Sequence, residues 1–497
     1  MTSKNSLKTE DKVKSVYIKS RNLYLQNFNT FIMMVIWFLL PLKYGGNINP
    51  TDKSTWNQDL ISWIIGGWPV FTFPLISALA LIVVVLNRRG ISHKSLHFCF
   101  LNILPGLMVL TASLVGWINT TEKDVAYLFS AQILAVIVLV SSTVMYMQVY
   151  SSARKYILIS ICLGFLVSSA YAWNQKYYLY PMVQEQIEKR LDENEQTYSR
   201  ELKVLKATKR YGGSFPYSNH LGAHLILVFP LCLLLAWKSG NYVKPNKLSK
   251  FLICFLFFIF SLKTLWLSGS LTSALILSIT TLCLLLLFIQ KNNFREKILF
   301  LTNPTYLLTF ILLTIFLIVI FYKNILTEHK VLSLEYRFDI WDSAIQIFKE
   351  FPLLGSGVGE FYNYHIQHMD ATGEVTRFAH NLFLSLLSQC GFFGGIAAII
   401  MLFHPIFILL LVRKGKLAIQ SNSLFIASIS GSLAWSIHSL FNFNIQVPAT
   451  VATFLILPSL GLRFQKDDKI LAIRKIIFIG TLSLILIGFC LFPIFRI

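Results

Sequence analysis

Thirteen apolar runs alternate with short polar turns along this chain, and most are about long enough to cross a bilayer. They cover 26–43, 65–86, 97–118, 125–149, 156–176, 219–237, 251–268, 270–290, 298–322, 381–412, 424–442, 446–462 and 476–495. The hydrocarbon core offers no water to a backbone N–H or C=O, so a spanning segment must satisfy those groups internally. Runs of roughly 20 residues do so as helices. The expected fold is all-α, a polytopic transmembrane bundle of about 12–13 spans. Composition agrees: 55% of residues are hydrophobic and 13% charged. A soluble domain carries about 25% charged residues. The run at 381–412 exceeds the length a span needs, which predicts a tilt or an interfacial start.

The turns orient the bundle. Arg88-Arg89, Arg154-Lys155, Lys238 to Lys250, Lys291 to Lys297, Arg413 to Lys416 and Arg463 to Lys475 all fall on the side of the N-terminal tail. That side holds 26 Lys and Arg against 5 Asp and Glu, while the remainder of the chain holds 18 of each. The net charge of +21 therefore sits entirely on one face. This is the positive-inside bias; it predicts a cytoplasmic N-terminus and calls for no nucleic-acid partner. The first run begins near Asn27 and lacks a small-residue cleavage site, so no cleavable signal is expected. All seven cysteines lie in or beside apolar runs and none forms a CxxC pair. They read as small core hydrophobes, not as a disulfide framework or zinc site.

The chain divides into a basic tail (1–25), N-terminal spans (26–176), a first outside loop (177–218), central spans (219–322), a second outside loop (323–380) and C-terminal spans (381–497). In the first loop, Ile187, Leu191, Tyr198, Leu202 and Leu205 recur at helical steps within the charged stretch 184–209. That pattern suits an amphipathic helix at the membrane surface or a solvated helical hairpin. The second loop predicts a helix over Arg337–Glu350, with Ile340, Trp341, Ala344, Ile345 and Phe348 on its apolar side, stopped by Pro352 and the glycines that follow.

Chemistry concentrates in the outside segments. Gly355, Gly357 and Gly359 lack the Gly-Lys-Ser/Thr ending of a phosphate loop, and read as a tight turn that docks the second loop on the bundle. Arg210 precedes Tyr211-Gly212-Gly213-Ser214-Phe215, and Arg337 and Arg377 bracket the second loop. Lys263 lies inside a span about five residues from its outer end, where it either serves a function or snorkels to the interface. His380 stands where the second loop re-enters the membrane, followed by Asn381; it is placed to take a proton or to bond a phosphate, and equally to be an interfacial structural residue. His220 and His438 carry the same ambiguity. No Asp-x-Asp motif occurs in the outside segments, no His/Asp/Glu group has metal-ligand spacing, and no Gly-x-Ser-x-Gly elbow is present, so neither metal nor cofactor is expected.

One order of motifs is more specific. Arg337, Trp341, Pro352-Leu353-Leu354-Gly355, Gly357, His380-Asn381-Leu382-Phe383-Leu384 and Gly391-Phe392-Phe393-Gly394 together resemble the signature of the O-antigen ligase and polymerase superfamily. Gly213-Ser214-Phe215 with Asn219, and the segment His438-Ser439-Leu440-Phe441-Asn442-Phe443-Asn444-Ile445-Gln446-Val447-Pro448-Ala449, resemble its flanking pieces, so the likeness covers roughly 210–460. The resemblance implies a metal-independent GT-C glycosyltransferase of a bacterial inner membrane. Such an enzyme moves a glycan from polyprenyl (undecaprenyl) diphosphate, at the periplasmic face, to lipid A core, a growing chain or a protein hydroxyl. The family's loop arginine and histidine map onto Arg337 and His380 as catalytic residues. Arg210, Arg377, Lys263, Asn219 and Asn381 are the expected substrate-binding residues. Two departures stand out: Ser268-Gly269-Ser270-Leu271-Thr272-Ser273 lacks the family's arginine, for which Lys263 is the candidate substitute, and Asn442 replaces its aspartate. A lipid-linked glycan transporter and a structural membrane component are the competing classes; no internal repeat of the transporter kind is evident.

Overall fold

The protein is seen here as a computed structural model, which describes residues 2–45, 60, 66–69, 72–86, 93–190, 210–243, 247–289, 328–369 and 373–463. The expected spans 298–322 and 476–495, and most of the charged stretch 184–209, lie outside the described residues. The helices are α1 (Thr2–Lys43), α2 (Thr72–Leu86), α3 (His93–Gly116), α4 (Lys123–Val149), α5 (Ala153–Asn174), α6 (Tyr180–Arg190), α7 (Ser218–Val243), α8 (Lys247–Ser268), α9 (Leu271–Ile289), α10 (Glu328–Glu350), α11 (Phe361–His368), α12 (Leu382–Arg413), α13 (Asn422–Ser439) and α14 (Pro448–Gly461). A π-helical turn, Gln175–Leu179, joins α5 to α6, and a 3₁₀ turn, Asn444–Gln446, leads into α14.

Seven described helices are long and apolar enough to cross a membrane; 72–86, 271–281 and 448–461 are apolar but shorter. The fold is thus an all-α polytopic bundle. Every residue of α14 is buried, which makes it the central post. Trp435 of α13 stacks on Phe454 of α14 with centroids 4.3 Å apart. Close approach of α13 to α7 requires Gly431, where a Cβ would stand 2.1 Å from the Leu227 carbonyl oxygen.

Local chemistry explains two boundaries. Within the run 65–86 the described helix begins at Thr72, whose N–H bonds the Pro69 carbonyl at 2.9 Å. The long run at 381–412 is a single stretch of helix broken at Gly391 (φ 60°, ψ −148°), a conformation open to glycine. The residue after the break bonds back to the second loop, Phe392 N–H to the Pro352 carbonyl at 2.8 Å.

Helix α10 begins earlier than its sequence pattern indicates, at Glu328, and its buried face is Ile340, Ala344 and Ile347. Ile345, expected on the apolar side, is exposed. The small core formed by those residues with Phe361 and Ala379 seats α10 and α11 on the start of α12. The turns at 117–122, 210–217, 269–270 and 440–447 and the described parts of the second loop, 351–369 and 373–381, meet at one end of the bundle. Described basic residues Arg154, Lys155, Arg413, Lys414, Lys416 and Arg463 lie at the other.

Candidate functional site

The glycine series is a dock. Gly355, Gly357 and Gly359 all have positive φ. A Cβ on Gly355 would stand 2.2 Å from the Gln389 carbonyl carbon. The closeness lets Ser356 N–H reach the Ser388 carbonyl at 3.0 Å and Gly357 N–H the Gln389 carbonyl at 3.1 Å. From the facing turn, Asn119 Nδ2 donates to the Gly355 carbonyl at 2.7 Å. Glu360, buried, accepts five hydrogen bonds on its carboxylate, from Thr120 Oγ1, Thr121 N and Oγ1, Glu122 N and Asn363 Nδ2. Burial alone pushes its pKa up, but those donors outweigh it and hold the carboxyl below its ordinary value. Glu360 and the Thr120-Thr121 turn escaped the sequence reading; an Asn-Thr-Thr turn supplies the donors, but only the fold reveals which acid they face.

This rigid platform presents Arg337 on α10. Arg337 is half-buried, and among the described residues no hydrogen bond or ion pair holds its guanidinium. Burial lowers its pKa, and the Glu374 carboxylate nearby opposes that shift. Arg210 converges on it from the first loop. Arg210 Nε donates to the Ser268 carbonyl at 3.0 Å, its other arm bonds Asn219 Oδ1, and its stem lies on Gly269. Desolvation, followed by the like charge of Arg337, depresses its pKa. Two guanidinium charges from distant parts of the chain therefore lie close enough to act on one another, with Asn219 bonded to one of them.

His380 is the third member. It is the sole non-glycine among the described residues with positive φ (49°), in the left-handed region that β-carbon sterics disfavour. Asn381, its neighbour, caps α12 by accepting from Leu384 N–H at 3.1 Å, so its side chain serves the helix start. The His380 ring packs edge-on against Phe443 at 4.8 Å, and its Nδ1 has no partner. Burial, then the adjacent Arg337 charge, drives its pKa down to about 4. The imidazole is neutral at physiological pH, with a lone pair free to take a proton.

Phe443 is the hub that sequence alone hid. Phe378 stacks on it at 4.5 Å, and His220, His380 and Tyr217 meet its edge or face at 4.7, 4.8 and 5.2 Å. Its only sequence signal is its place in the segment 438–449.

His438 is bound into the architecture. Ser439 Oγ donates to the Trp435 carbonyl, so it accepts from Asn444 Nδ2 at 2.9 Å. That fixes the amide, whose nitrogen also meets His438 Nδ1 at 3.0 Å. Nδ1 must accept, so Nε2 carries the proton and donates to Ser273 Oγ at 2.9 Å. Ser273 is thus hydrogen-bonded as an acceptor, which is the wrong polarity for an activated nucleophile.

The remaining expected residues lie elsewhere. Arg377 is exposed, with its guanidinium carbon 5.9 Å from the Tyr362 ring. Lys263 Nζ sits 4.1 Å over the Trp266 ring. Among the described residues neither shares a hydrogen bond, ion pair or ring contact with Arg210, Arg337 or His380.

The architecture is that of a polytopic helical membrane protein with two convergent arginines and a neutral histidine at one end. Residues 255–399 match the family model described as O-antigen ligase. That segment runs from α8 through Arg337, the glycine dock and His380 into α12, and the match supports the resemblance to the O-antigen ligase and polymerase superfamily. No curated protein matches the chain.

Proposed function

We propose that the protein transfers a glycan from a polyprenyl diphosphate to an acceptor hydroxyl at the periplasmic face of a bacterial inner membrane, as an O-antigen ligase. The carrying observation is the convergence of Arg210 and Arg337 beside a neutral His380. Two like charges held together call for an anion, and a diphosphate suits the planar, multiply donating guanidinium. The basic character of the opposite bundle end supports the periplasmic placement.

The chemistry follows from the groups present. An acceptor oxygen attacks the anomeric carbon while the bond from that carbon to the diphosphate oxygen breaks. The electron pair leaves with the diphosphate, and Arg210 and Arg337 stabilise its growing charge without needing to protonate it. The hydroxyl proton passes to His380. Burial and then the Arg337 charge suppress the basicity of His380. Diphosphate charge beside Arg337 cancels that effect and raises the histidine pKa toward neutrality, so the base strengthens when the donor is seated. Asn219 positions Arg210, and Phe443 holds the His380 ring. Lys263 and Arg377 stand outside this core group.

Transfer from purified polyprenyl-diphosphate glycan to lipid A core, measured for Arg337→Ala and His380→Ala, tests the reading. Near-normal turnover in both variants overturns it. Surface glycan from a deletion strain separates the modes: unattached, intact lipid-linked polymer means ligase, whereas single repeat units on the acceptor mean polymerase.

A further inference from the structure

One cluster at the same bundle end is left unused by that chemistry. Lys176 and Lys263 both lie over Trp266, with Nζ atoms 3.7 and 4.1 Å from its ring centroid. The two ammonium groups are therefore at most about 8 Å apart. Both also approach the Tyr177 ring, at 5.6 and 5.8 Å. Among the described residues no carboxylate pairs with either lysine. Trp266 is 59% exposed, too open to be a core residue.

The backbone builds this pairing. Lys176 lies in the π-helical turn Gln175–Leu179, a wide turn that recurs at functional positions. Gln175 is clamped to the Gly213 backbone in both directions, Nε2 to its carbonyl at 2.9 Å and its N–H to Oε1 at 2.8 Å. Trp173 Nε1 donates to Thr264 Oγ1 at 3.3 Å and its ring stacks on Phe260, fastening α5 to α8 beside the lysines. The result is two cations held against one indole on a braced scaffold.

Below the cluster, Leu252, Leu256, Ile259 and Leu262 form an exposed apolar column along α8, at helical spacing. It ends upward at Lys263 and Trp266. Tryptophan at this depth marks the level of lipid headgroups. The opposite end of α8 is at Lys247, so the cluster shares its end with Ser268, which Arg210 bonds.

We propose that Lys176, Lys263 and Trp266 hold the phosphate-bearing headgroup of a net-anionic membrane lipid, with its hydrocarbon chain along the exposed column of α8. A phosphate between the two ammonium groups replaces their repulsion with two attractions, and the indole covers its apolar side. This assignment is independent of the reading of Arg210 and Arg337.

Lipid-selective quenching tests it on the full-length protein. The protein is reconstituted into vesicles containing brominated phosphatidylglycerol or brominated phosphatidylcholine, and the Trp266 signal is taken as the difference from Trp266→Phe. The expected result is about tenfold stronger apparent association of the anionic lipid, lost in the Lys176→Gln/Lys263→Gln double variant. The Lys176→Arg/Lys263→Arg variant keeps the preference, which separates loss of charge from loss of fold, and Arg337→Ala keeps it as well. Equal quenching by both lipids, or a preference that survives the glutamine variant, overturns the proposal. Loss of the preference in inorganic phosphate, but not in sodium chloride of matched ionic strength, would assign the site to free phosphate and overturn the lipid assignment.

Discussion

Two polar regions meet at one end of this bundle and are built on opposite principles. In the glycine dock the polar groups are densely paired: backbone bonds join 352–357 to 388–392, and five donors surround Glu360. In the arginine–histidine cluster, segments remote in the chain bring like charges together, Arg337 makes no bond with a described residue, and His380 Nδ1 is unpartnered. A satisfied network costs little to bury and rigidifies what it joins. An unsatisfied one opposes folding and persists because the rest of the structure holds it in place. The dock is therefore the support and the cluster is the site.

Substitutions can break or sharpen that contrast. The largest effect is expected on turnover at the cluster. Arg337→Ala should lower transfer by about 10²–10³-fold with thermal stability unchanged or raised, since an unpaired cation has been removed. Arg337→Lys should recover only part of the rate because a point charge cannot bond two oxygens side by side. A melting curve run beside the transfer assay reads both quantities, and a large stability loss in Arg337→Ala would erase the distinction between the regions.

The dock should answer in the opposite currency. Glu360→Ala strands donors in a buried pocket and should cost about 2–4 kcal/mol, while the surviving folded protein keeps its specific activity. The native carboxylate contribution also has a pH signature. With the folded pKa below its ordinary value, that stability is present above about pH 4.5 and fades as pH falls through the lowered value. Denaturation midpoints followed from pH 7 down to about pH 2 for wild type and Glu360→Gln would show the two converging on the acid side. Gly355→Ala forces a β-carbon against Gln389 at positive φ and should destabilise by roughly 1–3 kcal/mol, again without a matching loss in turnover per folded molecule.

A finer effect links the cluster's own members. Arg337 helps to hold the His380 pKa near 4, so Arg337→Ala should raise it, and the imidazole should then protonate at a higher pH. Carbethoxylation of His380 against pH, read by mass spectrometry, reports the neutral fraction; an unmoved midpoint would separate the two residues electrostatically. The smallest change is expected for Arg377→Ala, less than about threefold in turnover, because its guanidinium lies over Tyr362 on the exposed side.

The residues of the site were legible to different degrees. Arg337, Arg210 and His380 stood out as polar residues in outside segments of a chain that keeps its interior apolar. Their common destination did not, since it depends on α10 docking through Ile340, Ala344 and Ile347 and on turns more than a hundred residues apart. Lys263 read equally well as a site residue or a snorkelling one; its partner Lys176 drew no notice, because a lysine near a helix end is ordinary until both are found over one indole. Phe443 and Glu360 were invisible as functional support, one an apolar residue in an apolar segment and the other a charge within a loop.

Sequence by itself determined the all-α polytopic bundle, because hydrophobic length acts locally and needs no partner. Tertiary structure decided the break at Gly391, the tautomer of His438 and the meeting of Arg210 with Arg337. Each of these is a property of contacts between remote segments, where a φ angle, a proton or a charge takes its value from a neighbour that chain order does not reveal.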